Sequence, residues 1–270
     1  DYFYLGGGIE KGETELEALK RELIEESGYT IKNMKINSAK NFQGLFGYIY
    51  KATIQNVKLE NYQIIATGTY IGGLTGYCNT STITNVRAIG NNKIQYGTNS
   101  EAVGGLIGEV CTESGSRYIT KCYTEGTICC SRSATTTQYG GLIGGIIGNV
   151  VGGDATSRYI YLQNSYSNMS VIGNGAVGGL VGGISDYAVI QYCYATGKVT
   201  GASETGGIVG AIWTDRKCTS CYYDTATTAQ EDNGYGTPKT TDEMKKQSTY
   251  SNWDFTNTWQ IAEGQYPTLK

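Results

Sequence analysis

Three glutamates near the amino terminus, Glu22, Glu25 and Glu26, have the spacing of a metal-binding helix face. Positions i, i+3 and i+4 of an α-helix lie on the same side, so the three carboxylates would point in one direction. Carboxylate oxygens are ligands that Mg²⁺ takes in proteins, and such an ion can polarise a diphosphate and activate a water molecule. Such a helix face is suited to hold Mg²⁺ against a diphosphate, whereas the expectation for the chain as a whole is that it has no cofactor.

The segment that would carry these glutamates is predicted to be a helix over residues 13–27. Gly28 follows as a C-terminal stop. Apolar side chains recur at helical spacing at Leu16, Leu19, Leu23 and Ile24. The first 28 residues contain eight acidic and three basic side chains, so their net charge is −5, against −3 for the whole chain. This change in charge marks a boundary and predicts a separate segment over residues 1–28.

This segment resembles the Nudix box of the Nudix hydrolases, whose spacing it reproduces without a gap from Gly7 to Tyr29. The resemblance implies that the metal ligands are Glu22, Glu25 and Glu26. It implies that the loop–helix–loop shape is held by Gly7, Glu13, Arg21 and Gly28. The activity it implies is Mg²⁺-dependent hydrolysis of a nucleoside diphosphate derivative, which would place the protein in the cytoplasm.

The surroundings of the box favour a different role. A Nudix fold fills a domain of about 100–150 residues, but only Tyr2–Leu5 precedes the box as a candidate strand, and a repeat pattern begins directly after it. The first alternative is a helix that caps the exposed end of a repeat array and has no catalytic residues. A fusion of unrelated segments is a further alternative.

A Gly-Gly-Leu-x-Gly element organises the rest of the chain. Full copies begin at Gly72, Gly104, Gly140 and Gly178, a copy with Ile for Leu begins at Gly206, and a weaker copy spans Gln43–Gly47. The second glycines stand at positions 44, 73, 105, 141, 179 and 207, at intervals of 28 to 38 residues. A period in this range indicates a repeat protein whose units must stack to bury their apolar faces.

A second repeated column keeps the same period. Each copy has an apolar residue, two further residues, a small residue and then a long or aromatic one. The copies begin at Ile31, Ile54, Ile83, Ile119, Leu162, Ile190 and Cys218. The small residues of the later copies are Val57, Val86, Cys122, Ser165, Cys193 and Cys221. We expect the apolar and the small positions to form two buried stacks along a solenoid.

The runs between the glycines are short and rich in Ile, Val, Thr and Tyr, which predicts many short strands joined by tight turns. Proline occurs only at Pro238 and Pro267, so it does not interrupt the repeats. The predicted fold is all-β, a right-handed parallel β-helix. An N-terminal helical segment and a C-terminal cap complete it. The predicted division is 1–28, 29–231 and 232–270.

Residues 29–270 resemble the GLUG-motif repeats of bacterial surface and secreted proteins. The tail agrees with the usual ending of such arrays in Cys221-Tyr222-Tyr223-Asp224, in Trp253-Asp254-Phe255 and in Tyr266-Pro267. The resemblance implies a structural or adhesive role at the cell surface or outside the cell. Within the tail, Thr241 is predicted to N-cap a short helix, and Trp253, Phe255 and Trp259 are predicted to cover the last coil.

Cysteine and histidine usage restricts the chemistry. The chain has no histidine, which removes Ser-His, Cys-His and histidine–metal sites. Its eight cysteines are an even number, as in a disulfide framework, and Cys218 and Cys221 have the spacing of a redox or zinc pair. Both positions, however, fall in the two apolar columns, so we expect small buried side chains there without a metal.

Tyrosines recur at one repeat position, at Tyr123, Tyr166, Tyr194 and Tyr222. They should stack along one side of the solenoid, either as an aromatic stripe that contacts a glycan or protein, or as ladder packing with hydroxyls in water. The pI of about 5.2 and the lack of a basic patch argue against a nucleic-acid partner. No stretch reaches the length of a membrane span, and the opening Asp1-Tyr2-Phe3-Tyr4 does not resemble a signal peptide.

Overall fold

The computed structural model describes residues 29–130, 141–153, 157–213 and 216–270. In these ranges the chain is almost entirely β-structure, and its strands wind into about six coils of a solenoid. Strands of successive coils pair in parallel. The predicted parallel β-helix is therefore confirmed, whereas the helix predicted over residues 13–27 lies outside the described residues.

Each coil contributes four or five of the described strands. The first coil contains β1 (Thr30–Lys32), β2 (Lys35–Ser38), β3 (Phe42–Gln43), β4 (Phe46–Tyr50) and β5 (Thr53–Gln55). The second contains β6 (Lys58–Glu60), β7 (Gln63–Ala66), β8 (Tyr70–Gly72), β9 (Thr75–Asn79) and β10 (Thr82–Thr84). The third contains β11 (Arg87–Ile89), β12 (Lys93–Tyr96), β13 (Ala102–Gly104), β14 (Ile107–Cys111) and β15 (Arg117–Thr120).

The later coils repeat this order, with the first two strands fused in the fourth and fifth. The fourth coil contains β16 (Tyr123–Cys130), β17 (Leu142–Gly144), β18 (Ile147–Val151) and β19 (Ile160–Gln163). The fifth contains β20 (Tyr166–Ile172), β21 (Val177–Gly178), β22 (Val181–Ile184) and β23 (Ala188–Gln191). The sixth contains β24 (Tyr194–Ala195), β25 (Val199–Thr200), β26 (Thr205–Gly206), β27 (Val209–Ile212) and β28 (Arg216–Thr219).

Equivalent strands stack into four sheets, here called A to D in the order in which a coil visits them. Sheet A starts at β1 and takes in the first and second strands of each coil. Sheet B runs through β3, β8, β13, β17, β21 and β26. Sheet C runs through β4, β9, β14, β18, β22 and β27. Sheet D runs through β5, β10, β15, β19, β23 and β28.

The two predicted apolar columns form ladders inside the solenoid. In sheet D, Ile83 pairs with Ile119, which pairs with Leu162, and the ladder continues through Ile190 to Cys218. The aliphatic members are buried and Cys218 is partly buried. The small residues of the later copies form the other ladder, and all of them are buried: Val57, Val86, Cys122, Ser165, Cys193 and Cys221. Burial of each isoleucine contributes about 1.5–3 kcal/mol, so these ladders account for much of the core.

The corner between sheets D and A explains the polar positions of the second column. Its third residue has a left-handed backbone in every described coil, with φ from 48° to 57°. These residues are Asn33, Asn56, Asn85, Lys121, Asn164, Tyr192 and Ser220. Asparagine tolerates this conformation better than most residues, which accounts for its frequency in the column. The Asn85 side chain also donates a 2.8 Å hydrogen bond to that of Asn56 in the coil before.

The glycine elements lie at the corner between sheets B and C. The copy predicted at Gly140–Gly144 is out of register by four residues, because Gly144 is the partner of both Gly104 and Gly178, so Gly144–Gly148 forms this corner in the fourth coil and Gly145 is its second glycine. Gly72 ends β8, and Thr75 begins β9. A Cβ atom on Gly73 would lie 2.5 Å from the Gly105 carbonyl oxygen of the next coil and 2.8 Å from the Tyr62 ring. The second glycine of each element is therefore required because the coils approach too closely for a side chain.

The C-terminal end closes the last coil. After β29 (Tyr222–Asp224) and α1 (Thr225–Thr228), β30 (Thr237–Lys239) adds one more parallel strand to sheet A. The loop before β30, residues 229–236, crosses the open end of the sixth coil. There the Asn233 amide donates to the Thr205 and Val209 carbonyls at 3.1 and 2.9 Å, and Gln230 donates to Val199 at 3.0 Å.

Residues 240–270, the C-terminal segment, turn back along the outside of sheet A. They contain α2 (Thr241–Met244), a 3₁₀ helix (Gln247–Thr249), and the antiparallel strands β31 (Trp259–Gln260) and β32 (Thr268–Leu269). The residue that caps α2 is Thr240, not the predicted Thr241, because the Thr240 hydroxyl and Glu243 carboxylate form a capping box. The segment extends to the third coil, where Arg87 donates to the Lys270 carbonyl at 3.1 Å.

Candidate functional site

The predicted tyrosine column lies on the outer face of sheet A. Tyr123, Tyr166, Tyr194 and Tyr222 are register partners in successive coils. The ring centroids of Tyr123 and Tyr166 are 4.2 Å apart, and those of Tyr166 and Tyr194 are 4.8 Å apart with nearly parallel planes. The faces of these rings therefore contact one another, and their edges and hydroxyls point away from the solenoid.

The C-terminal segment covers one end of this column. Tyr194 is only 2% exposed and Tyr222 is 8% exposed, because they pack against Tyr250, Trp253 and Trp259. The Tyr194 hydroxyl donates to the Pro267 carbonyl at 2.6 Å, and burial holds the pKa of that phenol well above its ordinary value. The prediction that the hydroxyls reach water is wrong for Tyr194, since the segment buries it.

The two tryptophans were predicted to cover the last coil as a cap, but they do not lie across its end. The Trp253 indole donates to the Ser220 carbonyl at 3.0 Å, and its centroid is 4.4 Å from that of Trp259. Both rings cover the side of the solenoid, while residues 229–236 cover its end. The predicted boundaries at residues 28 and 231 remain predictions.

A cleft of about 610 Å³ remains between the rest of the tyrosine column and the C-terminal segment. Its walls are Tyr123, Tyr166, Asn168, Tyr194, Thr196, Thr227, Gln260, Ile261, Ala262, Gln265, Tyr266 and Thr268. None of these side chains is acidic or basic. The volume is in the range of sites that hold small molecules, and the lining combines aromatic edges with amides and hydroxyls.

Several polar groups in this cleft keep hydrogen-bonding capacity. The Tyr166 hydroxyl has no hydrogen-bond partner among the described residues, and neither has the Gln265 side-chain amide. Burial raises the pKa of Tyr166 to about 12, so its hydroxyl is a donor at neutral pH. Asn168 accepts a 3.3 Å bond from Thr196 and keeps its amide N–H groups available.

The loop that forms the far wall is fixed by Tyr266. Its hydroxyl donates to the Asp224 carboxylate at 2.6 Å, and its ring is nearly parallel to that of Tyr194 at 6.3 Å. Asp224 in turn accepts from the backbone N–H groups of Ala226 and Thr227 and so caps α1. The cleft thus lies between two walls that are both held by hydrogen bonds, the strands of sheet A and the loop that Tyr266 attaches to Asp224.

A second aromatic surface lies on sheets B and C of the first two coils. Its four rings are Phe42, Tyr48, Tyr70 and Tyr77. Phe42 stacks on Tyr70 at 5.7 Å and Tyr48 on Tyr77 at 5.4 Å. Phe42 and Tyr48 remain 41% and 46% exposed. The next coil ends this surface with Glu101 and Glu109, and we call the six residues the aromatic–carboxylate face.

The two carboxylates of this face have neutral partners. Glu101 accepts a 3.3 Å hydrogen bond from Tyr70, and Glu109 accepts a 2.8 Å bond from Asn149. Neither forms an ion pair with a described lysine or arginine. Burial raises the pKa of Glu109, and the neighbouring charge of Glu101 acts in the same direction. The face therefore combines exposed rings with negative charge that the described residues leave unpaired.

The residues predicted to hold Mg²⁺ lie outside the described residues. These are Glu22, Glu25 and Glu26, and the same applies to the motif residues Gly7, Glu13, Arg21 and Gly28. Elsewhere in the part of the chain that the structure describes, no group of three or more Cys, Asp or Glu side chains could hold a metal ion. All eight cysteines are free, and Cys221 is buried.

Sequence reasoning missed most of both surfaces. Asn168, Gln265 and Tyr266 meet only because the C-terminal segment folds back. No motif marks Asn168 or Gln265, and the Tyr266-Pro267 motif did not indicate that Tyr266 lines a cleft. Glu109 occupies the same register column as Tyr48 and Tyr77. This column could have been predicted from the repeat, since each of these three residues directly follows the last glycine of its element in the sequence.

Comparisons with known proteins agree with the fold. The family model of the GLUG motif matches residues 173–200, which include the Gly178–Gly182 element and Tyr194. A crystal structure of "a putative immunoglobulin A1 protease from Bacteroides ovatus" is similar, with a TM-score of 0.64 and 21% identity. The match covers 90% of this chain and 75% of that one, and at this identity it shows the fold alone. No curated protein matches the chain.

Membrane insertion through a helix receives no support from the described residues. None of their helices has the length and hydropathy needed to cross a bilayer.

Proposed function

We propose that this chain is a structural and adhesive β-helix module of a bacterial surface or secreted protein. The single observation that carries an adhesive role is the aromatic–carboxylate face. Exposed aromatic rings in a contiguous patch mark interaction surfaces in soluble proteins. The rings here stand on four strands of two stacked coils of the solenoid, so a partner would meet a surface that needs little ordering.

The chemistry of this face favours a protein partner that presents lysine or arginine side chains. A lysine or arginine side chain pairs with a carboxylate and packs its hydrocarbon part against neighbouring rings, and a ring face that stacking leaves open attracts the cation itself. The chain already contains one such contact beside the face, where the Lys51 ammonium lies 4.8 Å from the centroid of the Tyr50 ring. Glu101 and Glu109 offer two more acceptors to an incoming cation.

The comparisons support the proposed surface or secreted location, and they do not bear on the proposed contact with a cationic partner. The GLUG match and the fold of the Bacteroides protein both agree with a surface or secreted module. The protease activity in that protein's name is not part of the proposal. This chain has no histidine, so a Ser-His or Cys-His nucleophile cannot be assembled from it.

Binding to immobilised peptides tests the adhesive surface. An arginine-rich peptide should bind the chain, a glutamate-rich peptide should not, and added salt should weaken the binding. The double variant E101Q/E109Q keeps the shape of both side chains and should lose most of it. Glu204→Gln is a matched control because Glu204 is exposed in the sixth coil. Equal binding by both peptides, or no effect of the double variant, would refute the contact.

The cellular setting has its own test. Brief protease treatment of intact cells should release fragments of a surface-displayed module, and fractionation should find a secreted one in the medium. A protein recovered only from the cytoplasm would refute the proposed location.

The alternative function is a Mg²⁺-dependent hydrolase of a nucleoside diphosphate derivative. It is kept because the Nudix-like spacing from Gly7 to Tyr29 is complete. Its test is incubation with nucleoside diphosphate derivatives and Mg²⁺, followed by detection of released nucleoside monophosphate or phosphate. Turnover that disappears in Glu25→Gln and Glu26→Gln would make this chain an enzyme. We propose that no turnover occurs.

A further inference from the structure

We infer that the cleft between the tyrosine column and the C-terminal segment binds a neutral saccharide. This site lies on sheet A, away from the aromatic–carboxylate face on sheets B and C, so the inference goes beyond the proposed function and can fail independently of it. Three features of the cleft carry it: its concave shape, the absence of charge in its lining, and its unpaired polar groups.

The shape suits a ligand of a few sugar rings. The cleft has a volume of about 610 Å³, within the range of about 300–1,000 Å³ typical of small-molecule sites. It is walled on one side by a β-sheet and on the other by a loop that Tyr266 holds to Asp224. A site framed in this way requires little rearrangement on binding, which lowers the entropic cost.

The lining selects against charged and strongly apolar ligands. No lining residue is a lysine, arginine, aspartate or glutamate. The hydroxyls of Tyr123 and Tyr266 donate to the carboxylates of Glu125 and Asp224, which repel a phosphate, sulfate or carboxylate group, and the Lys245 ammonium lies against the Tyr266 ring rather than in the lining. A lipid chain would place hydrocarbon against amides and hydroxyls that need hydrogen bonds. Neutral hydroxyl groups suit the same amides and hydroxyls well, since they both donate and accept.

The available groups are placed for such hydroxyls. The partly buried Tyr166 hydroxyl projects from the sheet wall, the exposed Asn168 amide lies in the same strand, and the exposed Gln265 amide stands on the loop, where a ligand hydroxyl would replace water. The tyrosine rings contact one another through their faces, so they present edges to the cleft. A ring edge carries partial positive charge, which suits the oxygen atoms of a sugar.

Binding of neutral and charged oligosaccharides tests the inference. The probes are unsubstituted hexose and N-acetylhexosamine oligomers, and their sulfated, sialylated and uronic acid counterparts, measured by calorimetry with the full chain. A neutral oligomer should bind, and the charged counterparts should bind at least tenfold more weakly. Stronger binding of the charged oligomers would overturn the inference. So would an absence of binding by any neutral oligomer at millimolar concentration.

Variants locate the site. Tyr166→Phe removes one hydroxyl and keeps the stacked ring, so affinity should fall about three- to tenfold, as for one neutral hydrogen bond. Gln265→Ala should have a similar effect, and the two together should abolish measurable binding. Tyr118→Phe is the matched control, since Tyr118 belongs to an exposed tyrosine stack on sheet D. Neutral binding that survives the double variant, with its tryptophan fluorescence unchanged, would place the ligand elsewhere and refute the cleft.

Discussion

The indole N–H of Trp259 donates a 3.3 Å hydrogen bond to the side-chain oxygen of Asn164, across 95 positions of the sequence. Asn164 is a member of the left-handed corner column, with φ of 48°. One residue therefore serves the repeat through its backbone and the C-terminal segment through its side chain. The Trp253 indole donates to the carbonyl of Ser220, which occupies the same corner position in a later coil. The C-terminal segment is therefore attached to this corner in two different coils.

These two roles of Asn164 can be separated by substitution. Asn164→Ala loses the hydrogen bond and also the tolerance for a left-handed backbone, so the free energy of unfolding should fall by about 2–3 kcal/mol. Asn164→Gly keeps the backbone conformation accessible and should lose about 1–2 kcal/mol. Urea unfolding followed by tryptophan fluorescence measures both. Equal losses would show that the left-handed backbone contributes nothing at this corner.

The glycine corner should tolerate almost no side chain. A Cβ atom on Gly145 would overlap the Gly179 carbonyl oxygen and the Ser167 hydroxyl, and neither can move far because both lie inside the stack. Gly145→Ala should therefore cost more than about 3 kcal/mol or prevent folding.

A control separates this overlap from backbone strain. Gly264 has φ of 69° and open space around it, so Gly264→Ala should cost only about 1–2 kcal/mol. Thermal unfolding of the two variants compares the effects. A Gly145→Ala protein as stable as Gly264→Ala would mean that the coils are not as closely packed at this corner.

The repeat could be predicted from sequence because each of its parts recurs locally. Gly73 is needed because the next coil approaches its backbone closely, and Asn85 suits its position because the backbone there is left-handed. Both requirements recur at the equivalent positions of successive coils. Trp259 has no such neighbours in sequence. Its position depends on contacts with Tyr166 and Asn164, nearly a hundred residues earlier, so no local pattern encodes it.

The cleft shows the same division. Its tyrosine wall was predicted from the column of Tyr123, Tyr166 and Tyr194, but the loop with Gln265 that completes the cleft comes from the C-terminal segment. Only docking of that segment turns an exposed stripe into a concave site. Sequence reasoning therefore reached one wall of the cleft, and its alternatives of a glycan or a protein contact remain predictions.

The capping box of α2 should make the C-terminal segment sensitive to acid. Glu243 accepts hydrogen bonds from the Thr240 backbone N–H and from the Thr240 hydroxyl, both at 2.9 Å, and from Lys239 at 3.1 Å. These bonds, the backbone bond first, lower the pKa of Glu243 to about 2. An unfolded glutamate has a pKa of about 4.3.

The sign of the effect follows from these two values. Stabilisation by ionised Glu243 is complete above the unfolded pKa and is lost as the pH falls from about 4.3 through about 2. Glu243→Gln retains a capping side chain without the charge, so it should be less stable than the native chain at pH 7 and similar near pH 2. Acid titration of tryptophan fluorescence measures this, with Glu263→Gln as an exposed control. A constant difference across the range would contradict the assignment.

The thiols of the second column should be inert in the folded protein. Cys221 donates to the Thr219 carbonyl at 3.4 Å, as Ser165 donates to Gln163 at 2.8 Å in the same column. Burial raises the pKa of Cys221 well above its ordinary value, so almost no reactive thiolate forms. Iodoacetamide followed by mass spectrometry should label it only after denaturation.

Replacement of this thiol should be tolerated. Cys221→Val should cost less than about 1.5 kcal/mol, since the two side chains are similar in volume. Bound zinc in the purified protein, or a shift in electrophoretic mobility under reducing conditions that the variant abolishes, would refute the packing role of Cys221.

Two truncations should distinguish the end of the solenoid from its side. Removing residues 240–270 leaves β30 and the loop over the sixth coil in place, but exposes Tyr194 and Tyr222. The shortened chain should keep the association state of the full chain and lose stability, because only side chains on one face become exposed. Removing residues 229–270 also frees the Thr205, Val209 and Val199 carbonyls and the unpaired edge of β29. Unpaired parallel edges recruit other chains, so this protein should form soluble aggregates. Size-exclusion chromatography with light scattering compares the two, and aggregation of both truncations to the same extent would show that the side cover, rather than the end loop, prevents aggregation of the solenoid.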